Sequence, residues 1–180
     1  MKKKVTNYIN NKTLYTHMIE HKRKLDESIL NGTPKPQISN YIGEAIESIN
    51  KNLIRKGNFS GYSKQWKDEM ISDGQLDCIA AVDNFNPERT NNPFSYFTQI
   101  AWNAFIRRIS REKKQTYIKY KNFQNSYLMN EIYVEGDSIH MKSYDHANEI
   151  ISSFENKLTK KKKNTKLSGL EVFQEKPDEE

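Results

Sequence analysis

The chain has 180 residues and a formal net charge of +6, a length that fits one modest domain with tails and excludes a large multidomain enzyme. Hydrophobic residues make up 35% and charged residues 29%, below the apolar content of an average globular domain, so part of the chain is expected to be poorly ordered. Aromatic residues at 11% still require a compact core, and the single cysteine, Cys78, excludes an internal disulfide and a cysteine-based zinc site. No apolar run approaches the roughly 18 residues of a membrane span, and Asn and Thr follow Lys2-Lys3-Lys4 where a signal peptide needs an apolar stretch. The expectation is a soluble protein of a reducing cytosol.

Between Asn11 and Leu30, the residues Leu14, Met18, Leu25 and Ile29 recur near the helical period, with Asn11 or Thr13 as N-cap and Gly32 as the stop. Thr33-Pro34-Lys35-Pro36 reads as an extended connector, because each proline pushes its predecessor out of the helical region. Ser39 opens a second helix. There Ile42, Ile46, Ile49 and Leu53 lie at i, i+4, i+7 and i+11, a core stripe that ends near Gly57. Asn58 to Tyr62 reads as a turn, and Trp66, Met70, Leu76, Ile79, Ala80 and Val82 mark a third helical stretch ending at Phe85. Gly74 lies inside it, at a cost of about 1 kcal/mol relative to alanine, so either the helix is weakened or a partner needs close access.

Asn86 to Pro93 is a loop bounded by two prolines, and Pro93 suits the first position of a fourth helix running to roughly Lys114. Phe97, Ala101, Ala104, Phe105 and Ile109 can pack inward from it, while Arg107, Arg111 and Lys114 fall at i, i+4 and i+7 on another side. From Tyr117 to Ser153 the pattern weakens, although Tyr117, Tyr120, Phe123, Tyr127, Leu128, Ile132 and Tyr133 can continue a helix. Lys160 to Lys163 reads as a flexible basic linker. Leu170, Val172 and Phe173 form an apolar island ahead of the acidic end Asp178-Glu179-Glu180, fit either to dock in a partner's groove or to fold back on the chain. The organisation expected is thus an N-terminal helix and connector (1–36), a helical domain (37–116), a helical or irregular segment (117–157) and a basic linker with a C-terminal peptide (158–180).

The sequence carries no glycine-rich phosphate loop, HExxH helix or GxSxG elbow. His17 and His21 lack a third ligand and read as a surface pair, and Asp68, Glu69 and Asp73 read as a solvated face, so no catalysis, metal or cofactor is expected. What remains is the fourth helix. Arg107, Arg108, Arg111, Lys113 and Lys114 offer phosphate-neutralising charge, and Tyr96, Phe97 and Trp102 offer rings for unstacked bases, a combination suited to melted nucleic acid. An ordinary amphipathic helix with a charged outer face fits the same pattern.

The run from Asp68-Glu69-Met70-Ile71-Ser72-Asp73-Gly74-Gln75-Leu76 through Ala81-Val82-Asp83-Asn84-Phe85-Asn86-Pro87-Glu88-Arg89 resembles, without a gap, the second conserved region of bacterial sigma factors. Phe94 to Ile106 resembles the stretch that follows it in the small sigma factors, with Phe97 where Trp is usual. The Asn58 to Tyr62 turn with Trp66-Lys67, the Arg107-Arg108-Ile109 helix and the terminal Leu170 to Glu175 are similar to the late-transcription sigma factors of T4-type bacteriophages. This resemblance implies an all-α, compact helical bundle of sigma region-two type with a flexible C-terminal tail, acting in the cytoplasm of the infected bacterial host. It implies binding to the host RNA polymerase core, on the coiled coil of its largest subunit, through Glu69, Ser72, Gln75, Leu76 and Ile79, with Gly74 admitting the polymerase helix.

The same resemblance makes Asn91, Asn92, Tyr96, Trp102 and Asn103 candidate base contacts to the melted non-template strand of promoter DNA. Arg107, Arg108, Arg111 and Lys114 become candidate phosphate contacts, and Phe97 and Phe105 are favoured for the core. Leu170, Val172 and Phe173 become a binding peptide for the phage sliding clamp. No second helix-turn-helix follows Lys114, so the implied protein is a minimal specificity factor for a short A/T-rich late promoter element. An RNA polymerase-binding adaptor or inhibitor without promoter recognition is the alternative, disfavoured because it has no need of the basic helix.

Overall fold

A computed structural model describes the backbone of residues 8–129 and 138–165 and the side chains of 8–126 and 144–159. The described chain is all-helical: α1 (Asn11–Asn31), α2 (Asn40–Leu53), the single turn α3 (Gly57–Ser60), α4 (Lys64–Ala80), a 3-10 turn at Val82–Asn84, α5 (Pro93–Met129) and α6 (Ser138–Thr165). None of the described helices is long and apolar enough to cross a membrane. Two compact units divide the chain, Met1–Ser110 and Arg111–Glu180.

α1 starts one residue earlier than its spacing predicts. Asn10 is the cap, its Oδ1 accepting from the backbone N–H of Lys12 at 3.0 Å and of Thr13 at 3.4 Å. Asn11, one of the two caps expected with Thr13, instead accepts from Phe94 N–H at 3.1 Å and so satisfies an orphan donor at the start of α5. Gly32 ends α1 in the left-handed region at φ 63°, which a residue without a Cβ adopts at little cost. The buried face of α1 runs through Leu14, Met18, His21 and Ser28. Ile29 lies off this line and is exposed with Leu30, because the true stripe advances by alternating steps of four and three.

His21 was expected at the surface but is only 4% exposed. Asp83 Oδ1, on the 3-10 turn, accepts a hydrogen bond from its Nε2 at 2.9 Å, and Lys35 of the connector pairs with the other carboxylate oxygen. His17 stacks on Tyr41 with ring centroids 4.7 Å apart. Three segments distant in sequence therefore meet at Asp83. Burial alone would push this carboxyl up, but the hydrogen bonds from His21 and Lys35 outweigh it and leave it below the ordinary value. A carboxylate lowered by folding contributes stability above its unfolded pKa, and that contribution is lost as pH falls through its folded pKa. Asp83→Asn is expected to lower the urea midpoint at neutral pH and to shrink the further loss on acidification; a midpoint with the wild-type pH dependence would exclude the role.

Ile42, Ile46, Ile49 and Leu53 of α2 are all buried, as their spacing predicts. They meet Leu14 and Met18 of α1, Met70 and Cys78 of α4, and Phe97, Ala101, Ala104 and Phe105 of α5 in one core cluster. α3 occupies the expected Asn58 to Tyr62 turn and is held by Phe59, whose ring meets Trp102 edge-on at 5.0 Å and Phe105 at 5.2 Å. Phe59, Phe85, Phe97 and Phe105 are almost wholly enclosed, each burial contributing roughly 1.5 to 3 kcal/mol.

α5 continues past the predicted end near Lys114 to Met129, and its C-terminal part pairs with α6 in the second unit. Tyr117 stacks on Phe154 with centroids 4.6 Å apart and donates its hydroxyl to Glu155 at 3.0 Å. Gln124 Nε2 donates to Asn148 Oδ1 at 2.8 Å, and Ala147 and Ile151 are buried. The backbone is helical through Lys160 to Lys163, where composition alone reads as a flexible linker. Leu170, Val172 and Phe173 lie outside the described residues.

Candidate functional site

α4 and the first half of α5 carry the residues singled out by the sequence. Ser63 caps α4, its hydroxyl accepting from Trp66 N–H at 3.3 Å. From that start the helix buries Met70, Gly74 and Cys78 at i, i+4 and i+8, which turns Glu69, Ser72, Leu76 and Ile79 together to the opposite, exposed side. Leu76 is 68% exposed and Ile79 47%, so two large apolar side chains one turn apart face outward. Gln75 is half-buried at the edge of this stripe.

Gly74 is on the wrong side of α4 to admit an outside helix, which corrects the role implied for it. A Cβ there would lie 2.1 Å from Asn50 Oδ1 and 2.8 Å from Phe105 Cε1. The close neighbours are thus α2 and α5 of the same unit. Asn50 is fully buried, its Nδ2 donating to Ile46 O at 2.8 Å, while its Oδ1 has no hydrogen-bond partner among the described residues. Cys78 is also fully enclosed, and burial pushes its thiol up to about 11.

The Asn86 to Pro93 loop is tied by its own side chains. Asn86 Oδ1 accepts from Glu88 N–H at 2.8 Å and Thr90 Oγ1 from Asn92 N–H at 3.2 Å. Asn92 then caps α5, its Oδ1 accepting from Ser95 N–H at 3.0 Å, with Pro93 in the first helical position. Asn91 is exposed and Asn92 has committed its acceptor oxygen. Tyr96 is half-buried: its hydroxyl donates to Ala81 O at 3.0 Å and its ring lies edge-on to Phe85 and Phe97. Burial raises its pKa. It clamps the end of α4 to α5, which leaves exposed Asn91 and half-buried Trp102 as the more open of the residues meant for bases, while exposed Asn103 accepts at its Oδ1 from Gln99 Nε2 at 3.1 Å. Phe97 and Phe105 are core residues, as expected.

The basic face of α5 is partly neutralised from within. Arg108 is 15% exposed and grips Asp73 with two bonds, Nε to Oδ2 and Nη2 to Oδ1, both 2.7 Å, with Glu69 at 3.2 Å. Arg107 pairs with Asp77. Of the acids read from sequence as a solvated face, Asp73 and Glu69 are therefore counter-ions for α5 while Asp68 is exposed, and Arg108 is an internal strut rather than an open phosphate contact. Arg111 and Lys114, which belong to the second unit, have exposed side chains.

A second basic surface was missed. Arg55, Lys56 and Lys64 are exposed around α3, and no described carboxylate pairs with them. The signal was available as the complete absence of Asp and Glu from 48 to 67. Among the described residues no group of three or more His, Cys, Asp or Glu is placed to hold a metal ion. No protein-family model matches the chain, and neither does any curated protein.

Proposed function

We propose that this chain is a phage late sigma factor: a subunit that docks on the host RNA polymerase core, helps melt and recognise a short A/T-rich promoter element, and is stimulated by a sliding clamp. The supporting observation is the outward stripe of α4, on which Glu69, Ser72, Leu76 and Ile79 come together at the surface. A helix opposite its own core has no internal reason to present Leu76 and Ile79 to water, and exposed apolar residues with a polar rim suit a protein partner. Trp102 and Asn103 on α5 supply an aromatic and an amide for unpaired bases. The clamp-binding part of the reading rests on the resemblance at Leu170, Val172 and Phe173.

Run-off transcription from an A/T-rich late-type promoter with purified bacterial core polymerase tests the reading: initiation at a defined site is expected only with this protein added. Leu76→Ala with Ile79→Ala is expected to weaken co-elution with the core by about tenfold or more, the equivalent of about 1.4 kcal/mol. Because both side chains are exposed, the thermal midpoint should stay near wild type. Undiminished co-elution would remove α4 from the interface. The adaptor or inhibitor reading gains from the internal neutralisation of Arg107 and Arg108. It predicts retained core binding with no site-specific initiation.

A further inference from the structure

The acid-free stretch from 48 to 67 holds Lys51, Arg55, Lys56, Lys64 and Lys67 with no Asp or Glu to balance them. Among the described residues only Lys51 of these is paired with a carboxylate, that of Glu47. Lys67 donates to Ser60 O at 2.9 Å, which pins it against the end of α3. Arg55, Lys56 and Lys64 have no described carboxylate partner, in contrast to Arg107 and Arg108.

Two features make this more than a solvated charge run. The turn that carries it is fixed: Phe59 is enclosed between Trp102 and Phe105, and Lys56 N–H and Phe59 N–H close successive turns onto Leu53 O and Lys56 O at 3.1 and 2.9 Å. The cations are therefore presented from a turn packed on the core. Lys64 and Lys67 also stand at the start of α4, whose first turn contains no acid. The helix dipole disfavours a cation there by roughly 0.3 to 1 kcal/mol; Lys67 offsets this through its bond to Ser60 O, whereas Lys64 has no such bond among the described residues, and its placement favours an anionic ligand. Half-buried Tyr62 and Trp66 stack on each other at 5.6 Å in the same stretch of chain as these lysines, and Trp102 meets Phe59 of α3. Aromatic rings in the same stretch as cations without a described carboxylate partner fit a single nucleic-acid strand; an acidic protein surface needs the charges without the rings.

We propose that Arg55, Lys56, Lys64 and Lys67 form a second docking track, for the phosphate backbone of a single DNA strand, beside Trp102. The inference rests on the promoter-DNA reading above and gives that strand a path across α3. Each phosphate contact to a single strand contributes about 0.7 to the slope of log affinity against log salt.

The test is fluorescence anisotropy of the full chain with a labelled A/T-rich single-stranded oligonucleotide over a salt series. Arg55→Gln, Lys56→Gln and Lys64→Gln together are expected to reduce the slope by about two. Lys22→Gln, Arg23→Gln and Lys24→Gln remove the same charge from cations already paired on α1 with Asp26, Glu20 and Glu27, and should leave the slope near wild type. Lys56→Arg with Lys64→Arg keeps both charges and should keep the slope, whatever the stability of the glutamine variant. Equal losses in the two triple variants would overturn the proposal, as would a wild type without salt-dependent binding. An unchanged slope accompanied by lost co-elution with polymerase would reassign the patch to an acidic protein surface and also overturn it. In each case the sigma reading itself stands or falls separately, by site-specific run-off.

Discussion

Gly74→Ala is expected to destabilise the first unit by about 1 to 2 kcal/mol, although alanine is the better helix former. The propensity gain is about 1 kcal/mol, whereas overpacking a filled core costs roughly 1 to 3 kcal/mol and occasionally more. Which term wins depends on whether the neighbours can move. The new methyl would sit 2.1 Å from Asn50 Oδ1 and 2.8 Å from Phe105 Cε1, so both must shift. Asn50 is held by its bond to Ile46 O and by complete burial, and the Phe105 ring is wedged against Phe59. Neither has an open side to retreat into. Asn50→Ala should be less harmful in the Gly74→Ala background than in wild type, because it removes the atom in the way and an oxygen that is already unpartnered. Urea unfolding of the four proteins measures this coupling. A Gly74→Ala protein as stable as wild type would show that α2 and α4 are not packed as described.

The same geometry changes how a polymerase-binding defect at Gly74 should be read. A loss of core binding in Gly74→Ala would follow from displacement of α4 by its own neighbours. The Leu76 and Ile79 side chains test the interface more directly, since they are large, exposed and outside the core.

Where the sequence was legible, one helix packed one apolar stripe. The i, i+4, i+7, i+11 pattern of α2 is reproduced by its buried face, and Pro93 opens α5 as its missing N–H allows. α1 was harder because His21 and Ser28, both polar, occupy buried positions that a hydrophobic count assigns elsewhere. His21 is admitted only because Asp83, 62 residues away, meets it. The pairing of α5 with α6 was illegible for a related reason: beside the buried Ala147 and Ile151 it uses Tyr117 on Phe154 and Gln124 on Asn148, aromatic and amide contacts that a hydrophobic count does not register. At the candidate site, the helix faces were readable but the state of each charge was not. Composition counts Arg55 and Arg108 alike, and only the folded arrangement pairs Arg108 with Asp73 and leaves Arg55 without a carboxylate partner among the described residues.

That difference sets up the second large effect. Arg108→Ala leaves Asp73, 27% exposed, and Glu69 facing each other without their common cation. Removing one partner of a fully buried pair costs roughly 3 to 5 kcal/mol; water reaches Asp73, which reduces the expected loss to about 1 to 3 kcal/mol. Lysine cannot replace the two-pronged grip with a single ammonium, so Arg108→Lys should recover little. Asp73→Asn should destabilise in parallel, and the double variant Arg108→Ala with Asp73→Asn should lose less than the sum of the two. Stability alone would not separate a strut from a phosphate contact, but the salt dependence of single-strand binding does. A guanidinium already committed to carboxylates releases no counterion from DNA, so Arg108→Ala should leave the salt slope unchanged when measured well below its unfolding temperature. If instead the slope falls by one contact while stability is untouched, Arg108 turns from Asp73 to DNA in the complex, and α5 meets the promoter with the full basic face that the resemblance implies.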